Sequence, residues 1–235
     1  MSVCPATAGD FGCLAGHTRR VLAIRLLALI ALLTVSACSS TDGRDSTRSG
    51  LSPQASAATI AAPNPHGDLA ARWWQWSEVP PPSENPVDDF NGRFCARHQP
   101  SDVWFLAGTH GGSAVRTCAL PSTQPIFFPV INQVCTVGSG ENVESAIRGC
   151  TAAVDVARAS LDGAPLSVRE LTSVGSFQLT TVPGSHSGFA PGQHEAVAWG
   201  LWVGPTQLTP GRHTLKLLGE AGSFSTDVTY RLRVI

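Results

Sequence analysis

Three polar residues stand in the most apolar part of the chain. Val103–Asn132 reads VWFLAGTHGGSAVRTCALPSTQPIFFPVIN, and His110, Arg116 and Asn132 are the side chains in it best suited to bind a ligand or move a proton. His110 sits in the turn Thr109-His110-Gly111-Gly112, and loops on a rigid scaffold often carry function. Arg116 interrupts an apolar strand. It cannot lose its charge, so burial requires a partner. Asp88, Asp89 and Asp102 are the candidates. Two readings follow: a structural Arg–Asp bridge beside Cys118, or a clamp for an anionic sugar. Paired carboxylates such as Asp88 and Asp89 serve as general acid and base when their pKa values diverge. Adjacent positions on extended chain point opposite ways, however, so this pair alone cannot share a site; a solvated turn or a caught cation is the simpler reading. His110 with Asp88, Asp89 or Glu141 is the set a hydrolase or lyase would use. His186 and His194 flank a loop rich in Gly and Ser and could ligate a metal with Glu195, but isolated surface histidines are the better reading, and no metal is expected. The chain has no GxSxG elbow, no HExxH and no phosphate-binding glycine loop. No cofactor is expected.

Aromatic residues offer a second kind of chemistry. Trp73, Trp74 and Trp76 crowd into four positions. A helix over Asp68–Val79 puts Leu69, Trp73 and Trp76 on one face, with Asp68 as N-cap and Pro80-Pro81-Pro82 as the stop. Exposed, Trp73 and Trp76 would stack on sugar rings; buried, they would staple the helix to the core.

The elements that must position these residues are mostly strands. VWFLAG, AVRTCAL and IFFPVI are apolar runs bounded by Gly and Pro, and read as buried strands joined by tight turns. Val143–Ala157 holds helical spacing, with Glu144 and Arg148 at i, i+4 on the other face. Leu161-Asp162-Gly163-Ala164 is a hairpin turn. Val174–Val182 is a strand. Val197–Val203 is apolar on both faces and is therefore predicted to be central. Leu208–Gly211 turns the chain, and Val228, Tyr230, Leu232 and Val234 alternate with polar residues. These pieces predict a mainly-β fold, an antiparallel β-sandwich of jelly-roll or Ig-like type, with a short N-terminal Trp-rich helix and one inserted amphipathic helix.

WWQW, then NPVDD and a cysteine, then VWFLAGT, RTC and FFPVIN together resemble a family of secreted bacterial proteins of no assigned function. The resemblance covers roughly Trp73 to the C-terminus. It implies only that these pieces belong to one domain.

The cysteines report on compartment. Cys95, Cys118, Cys135 and Cys150 follow the leader, and an even number in an exported chain implies disulfides. Cys95–Cys118 and Cys135–Cys150 are the expected pairs because each closes a short loop. The spacing is too scattered for zinc, which favours CxxC pairs.

Residues 1–37 read as a lipoprotein signal peptide. Arg19 and Arg20 precede the apolar stretch Val21–Val35, which is too short to span a bilayer comfortably. Val35-Ser36-Ala37-Cys38 resembles the lipobox of bacterial lipoproteins, whose cysteine carries a diacylglycerol; an ordinary secretory signal with an incidental cysteine is the alternative. Residues 38–64 are a Ser-, Thr- and Ala-rich tether, and residues 65–235 form one domain.

Charged residues are 14% of the chain, against a usual share of about 25%. Twenty-three glycines and 17 prolines make turns frequent and long helices rare. The net charge is −1, and removing the leader makes the chain more acidic. With no basic cluster apparent, a nucleic-acid partner is not expected. The expected partners are a membrane, through the lipid anchor, and a glycan or envelope protein. Three functions are carried forward: a non-catalytic envelope-binding domain, a hydrolase or lyase acting on a glycan, and a structural or assembly protein.

Overall fold

The computed structural model describes residues 68–235. The signal peptide, Cys38 and the tether expected from the sequence lie outside the described residues. Helix α1 (Leu69–Glu78) begins where Asp68 accepts from the Ala71 amide at 3.0 Å, and it ends before the three prolines. It is buried on more than the predicted face, since Trp74 is as deeply enclosed as Trp73.

Among the described residues, ten strands form two sheets. They are β1 (Trp104–Phe105), β2 (Gly112–Leu120), β3 (Ile126–Thr136), β4 (Val156–Leu161), β5 (Ala164–Pro165), β6 (Val168–Thr172), β7 (Phe177–Thr181), β8 (Gly192–Thr206), β9 (Gly211–Ala221) and β10 (Phe224–Val234). The first sheet runs β1-β3-β8-β6, with β7 also beside β8; the second runs β2-β10-β9-β4-β5. The fold is a mainly-β sandwich. Most pairings are antiparallel, but β1 runs parallel to β3 and β2 parallel to β10. VWFLAG contributes only two paired residues, and β2 and β3, though consecutive, lie in opposite sheets.

The first sheet is buried on both faces. One face carries Ile126, Phe128 and Val203 against Leu215, Leu217, Val228 and Leu232 of the second sheet. The other carries Phe127, Ala196, Ala198 and Trp202 against Leu69, Trp73, Trp74 and Trp76 of α1. This double burial is why β3 and the centre of β8 are continuous apolar runs rather than alternating ones. The sheets approach closely at Gly219, where an added Cβ would meet Ile131 Cδ1 at 2.6 Å and Val130 O at 2.7 Å.

Helix α2 (Val143–Gly149) is shorter than its periodicity predicts. Cys150 is bonded to Cys135 at its end, and Val156 onward pairs as β4 with β9. Pairing of β4 with β9 and the Cys135–Cys150 bond have overridden the helical pattern at its C-terminal end. Both expected disulfides are present: Cys95–Cys118 ties the loop after α1 to β2, and Cys135–Cys150 ties the end of β3 to α2. Stable disulfides place the domain in an oxidising, extracytoplasmic compartment. Among the described residues no helix is long and apolar enough to cross a membrane.

Candidate functional site

Three connections bring polar side chains together: the segment after α1, the turn between β1 and β2, and the loop between β7 and β8. They supply Asp88, His110 and His186, whose candidate ligand atoms all lie within 4.8 Å of one another. The two imidazole rings stack, with centroids 3.7 Å apart and planes at 29°. His186 is the inner ring, its side chain 6% exposed, and its Nε2 lies 3.5 Å from Asp88 Oδ2. That separation exceeds a hydrogen bond, and this Nε2 is a buried atom with no hydrogen-bond partner among the described residues.

Burial disfavours the charged ring, and nearby His110 adds to the effect, so the His186 pKa falls to about 3. His110 is held below its ordinary value by loss of solvent on its stacked face and by the charge of Arg116. Both rings are therefore neutral at pH 7, with lone pairs available. Burial raises the Asp88 pKa, and Arg116 partly offsets the rise.

Glu78, at the end of α1, supports this cluster. It is fully buried, and its carboxylate accepts from the Ser187 amide at 3.2 Å and the Ser187 hydroxyl at 2.7 Å. Ser187 follows His186 directly, so Glu78 fixes the loop that carries the inner ring. Desolvation raises the Glu78 pKa, the Ser187 hydrogen bonds lower it, and the Asp88 charge raises it further.

Arg116 holds the segment that carries Asp88. It is 1% exposed. Its Nη1 donates to Ala107 O at 2.6 Å and the Tyr230 hydroxyl at 2.8 Å, its Nη2 to Val87 O at 2.9 Å, and its Nε to Asp89 O. The Arg–carboxylate bridge expected from the sequence is replaced by these neutral acceptors. The carbonyls of Val87 and Asp89 bracket Asp88, so Arg116 fixes the backbone on which Asp88 stands.

The other sequence candidates lie apart. Trp73 and Trp76 are 1% and 7% exposed. Their ring N–H groups donate to Leu106 O and Arg97 O, and Trp73 meets Trp202 edge-on. Neither offers a face for a sugar: of the two readings, the helix stapled to the core is the one observed, and Trp73 and Trp76 are withdrawn as binding residues. Asn132 is buried in β3, with its amide nitrogen unpartnered among the described residues, and it is not in the cluster. Asp89 spends its carboxylate on the amides of Asn91, Gly92 and Phe94. Glu141 accepts from Gly138, His194 contacts Ala190 O, and Glu195 accepts from Ser176. Of the carboxylates proposed to work with His110, only Asp88 reaches it. Sequence reasoning missed the partnership of His110 with His186 and the role of Glu78. The one available signal for Glu78 was its place four residues after Trp74 on a helix rich in tryptophan.

A concavity of about 680 Å³ lies along β4, β5 and β9, remote from these residues in sequence and lined by Leu166, Val168 and Leu217 with Arg158, Lys216 and Asp227. No family model matches the chain, and neither a curated protein nor a solved structure matches it.

Proposed function

We infer that the protein is an exported envelope lipoprotein, anchored through Cys38, whose β-sandwich acts as a binding domain rather than a catalyst. The observation that carries this reading is the pair of closed disulfides, which fits a chain whose leader ends in a lipobox. The carboxylates suited to general acid–base work support it. Asp89, Glu141 and Glu78 are engaged with backbone amides, which leaves His110 with Asp88 alone. The concavity beside β4 and β5, with aliphatic lining and exposed Arg158 and Lys216, gives an envelope component a place to dock. A ligand there would be held by aliphatic contact and charge, not by tryptophan stacking.

Fractionating cells that express the parent or Cys38→Ala tests the anchor. The parent is expected in the membrane fraction with an acylated amino terminus at Cys38, and Cys38→Ala in the soluble exported fraction. An unacylated parent, or a variant as firmly membrane-bound as the parent, overturns the reading.

A further inference from the structure

We propose that Asp88, His110 and His186 form a binding site for a divalent metal ion of the zinc class, which clips together the three connections that carry them. Two imidazoles and a carboxylate are the donor set that zinc and its late first-row neighbours prefer. Two ligands at about 2.0–2.2 Å from one ion lie about 3.4 Å apart at the tetrahedral angle. Asp88 Oδ2 and His186 Nε2 stand 3.5 Å apart, so an ion fits between them without moving either chain segment. His110 lies on an exposed turn, and its candidate ligand atom is within 4.8 Å of the other two.

The feature that lifts this group above a chance cluster is the inner ring. His186 Nε2 is buried, faces Asp88, and has no hydrogen-bond partner among the described residues. Buried polar atoms of native proteins are nearly always paired, and an orphan calls for an explanation such as an ion. A metal–nitrogen bond supplies the missing partner. The surroundings are built to hold the ring still. Glu78 grips Ser187 next to it, and Arg116 fixes the backbone on either side of Asp88. Three protein ligands leave a tetrahedral ion one further position. The ion could therefore hold an anionic group of a ligand at this end of the sandwich.

The test uses the mature chain with its disulfides intact, free of any polyhistidine tag and stripped with EDTA. Zinc chloride is titrated by calorimetry, and thermal melts are recorded with and without the ion. One zinc per chain and a raised melting temperature are expected. His110→Asn, on the exposed turn, should weaken binding at least tenfold and abolish the thermal gain. Asp88→Asn and His186→Asn should do the same. His98→Asn is the control, because His98 is exposed and its positive φ of 52° suits asparagine. Cobalt titration adds an optical readout, since its visible bands should appear in the parent and the control and be absent from His110→Asn. A parent that binds no zinc overturns the proposal. So does a His110→Asn variant, folded by circular dichroism, that binds zinc as the parent does. Neither result bears on the Cys38 anchor, so the two readings fail separately.

Discussion

Arg116 and His186 are both nearly withdrawn from solvent, yet their polar atoms have opposite fates. The guanidinium reaches three main-chain carbonyls and the Tyr230 hydroxyl. The His186 Nε2 reaches nothing within hydrogen-bond distance. A buried charge with all its neighbours satisfied is what a fold needs to hold loops in place. A buried imidazole nitrogen with no partner does not help a fold. The contrast divides one end of the sandwich into a frame, Arg116 with Tyr230 and Asp89, and a site, Asp88 with the two histidines. It also explains why the frame uses carbonyls rather than a carboxylate. An Arg116–Asp88 bridge would consume the one acid the histidines can share.

The largest expected effect comes from breaking the frame. Arg116→Ala takes their Arg116 donor from the carbonyls of Val87 and Asp89, leaves Ala107 O with the Tyr230 hydroxyl alone, and opens a space beside the Tyr230 ring. Unsatisfied groups at about 1–3 kcal/mol each, partly relieved by relaxation, suggest a loss of roughly 3–5 kcal/mol. For a domain of this size that lowers the melting temperature by on the order of 10 °C. Arg116→Lys should recover part of it, since an ammonium reaches some of the same oxygens. His110→Asn, by contrast, should melt near the EDTA-treated parent. If urea unfolding found Arg116→Ala as stable as the parent, the division into frame and site would collapse.

Glu78 tests the boundary between the two. Its carboxylate is buried, satisfied by Ser187 and repelled by Asp88. A glutamine keeps an acceptor for Ser187 and removes the charge. Glu78→Gln is therefore expected to match the parent at pH 7 or exceed it by up to about 1 kcal/mol, whereas Glu78→Ala should lose about 2 kcal/mol. The pH dependence has a definite sign. A carboxyl whose pKa is higher folded than unfolded favours the fold when protonated. With EDTA present, Glu78 should make the parent lose stability as pH rises from its ordinary 4.5 through the raised folded value. Glu78→Gln should lack that component. If the two proteins changed in parallel between pH 4 and pH 7, Glu78 would not be the strained carboxylate described above.

Much of the fold is legible in the sequence. The cysteine spacings pointed to the disulfides, Asp162-Gly163 to the β4–β5 turn, and the alternation of Val228 to Val234 to β10. Two-sided apolarity marked the centre of β8. Arg116 announced by its type that it needed partners. It did not announce carbonyls, because main-chain acceptors carry no residue signature. The length of α2 was misread because a period reports local preference, while β9 captures Val156 and Cys135 holds Cys150. The site was hidden for a further reason. Asp88, His110 and His186 sit on three separate connections, and no spacing rule links residues that only the packed sandwich brings together. His186 was paired in the sequence reading with His194 and Glu195, its neighbours along the chain, and the fold sends those two elsewhere.

The smallest effect belongs to a second histidine–aspartate pair, which serves as an exposed counterpart to His186 and Asp88. Asp162 Oδ2 and His213 Nδ1 lie 2.7 Å apart, while Asp162 Oδ1 accepts from the Thr214 amide at 2.7 Å and His213 Nε2 contacts Thr209 O at 2.8 Å. Here every polar atom has a partner, and the titration runs the opposite way. The hydrogen bond to Asp162 and then the Thr209 carbonyl raise the His213 pKa above its ordinary 6.5. The Thr214 amide and then His213 lower that of Asp162 below its ordinary 3.8. Linkage fixes the window. The histidine's contribution is complete below pH 6.5 and is lost as pH rises through its raised folded value. The aspartate's is complete above pH 3.8 and is lost as pH falls through its lowered one. The pair therefore stabilises most between about pH 4 and pH 6.5. His213→Gln should melt below the parent there by no more than about 2 °C, because the pair is solvent-screened, and the gap should narrow toward pH 9. A gap independent of pH would mean that His213 contributes by packing alone. It would also remove the satisfied pair as the reference against which the unsatisfied one is judged.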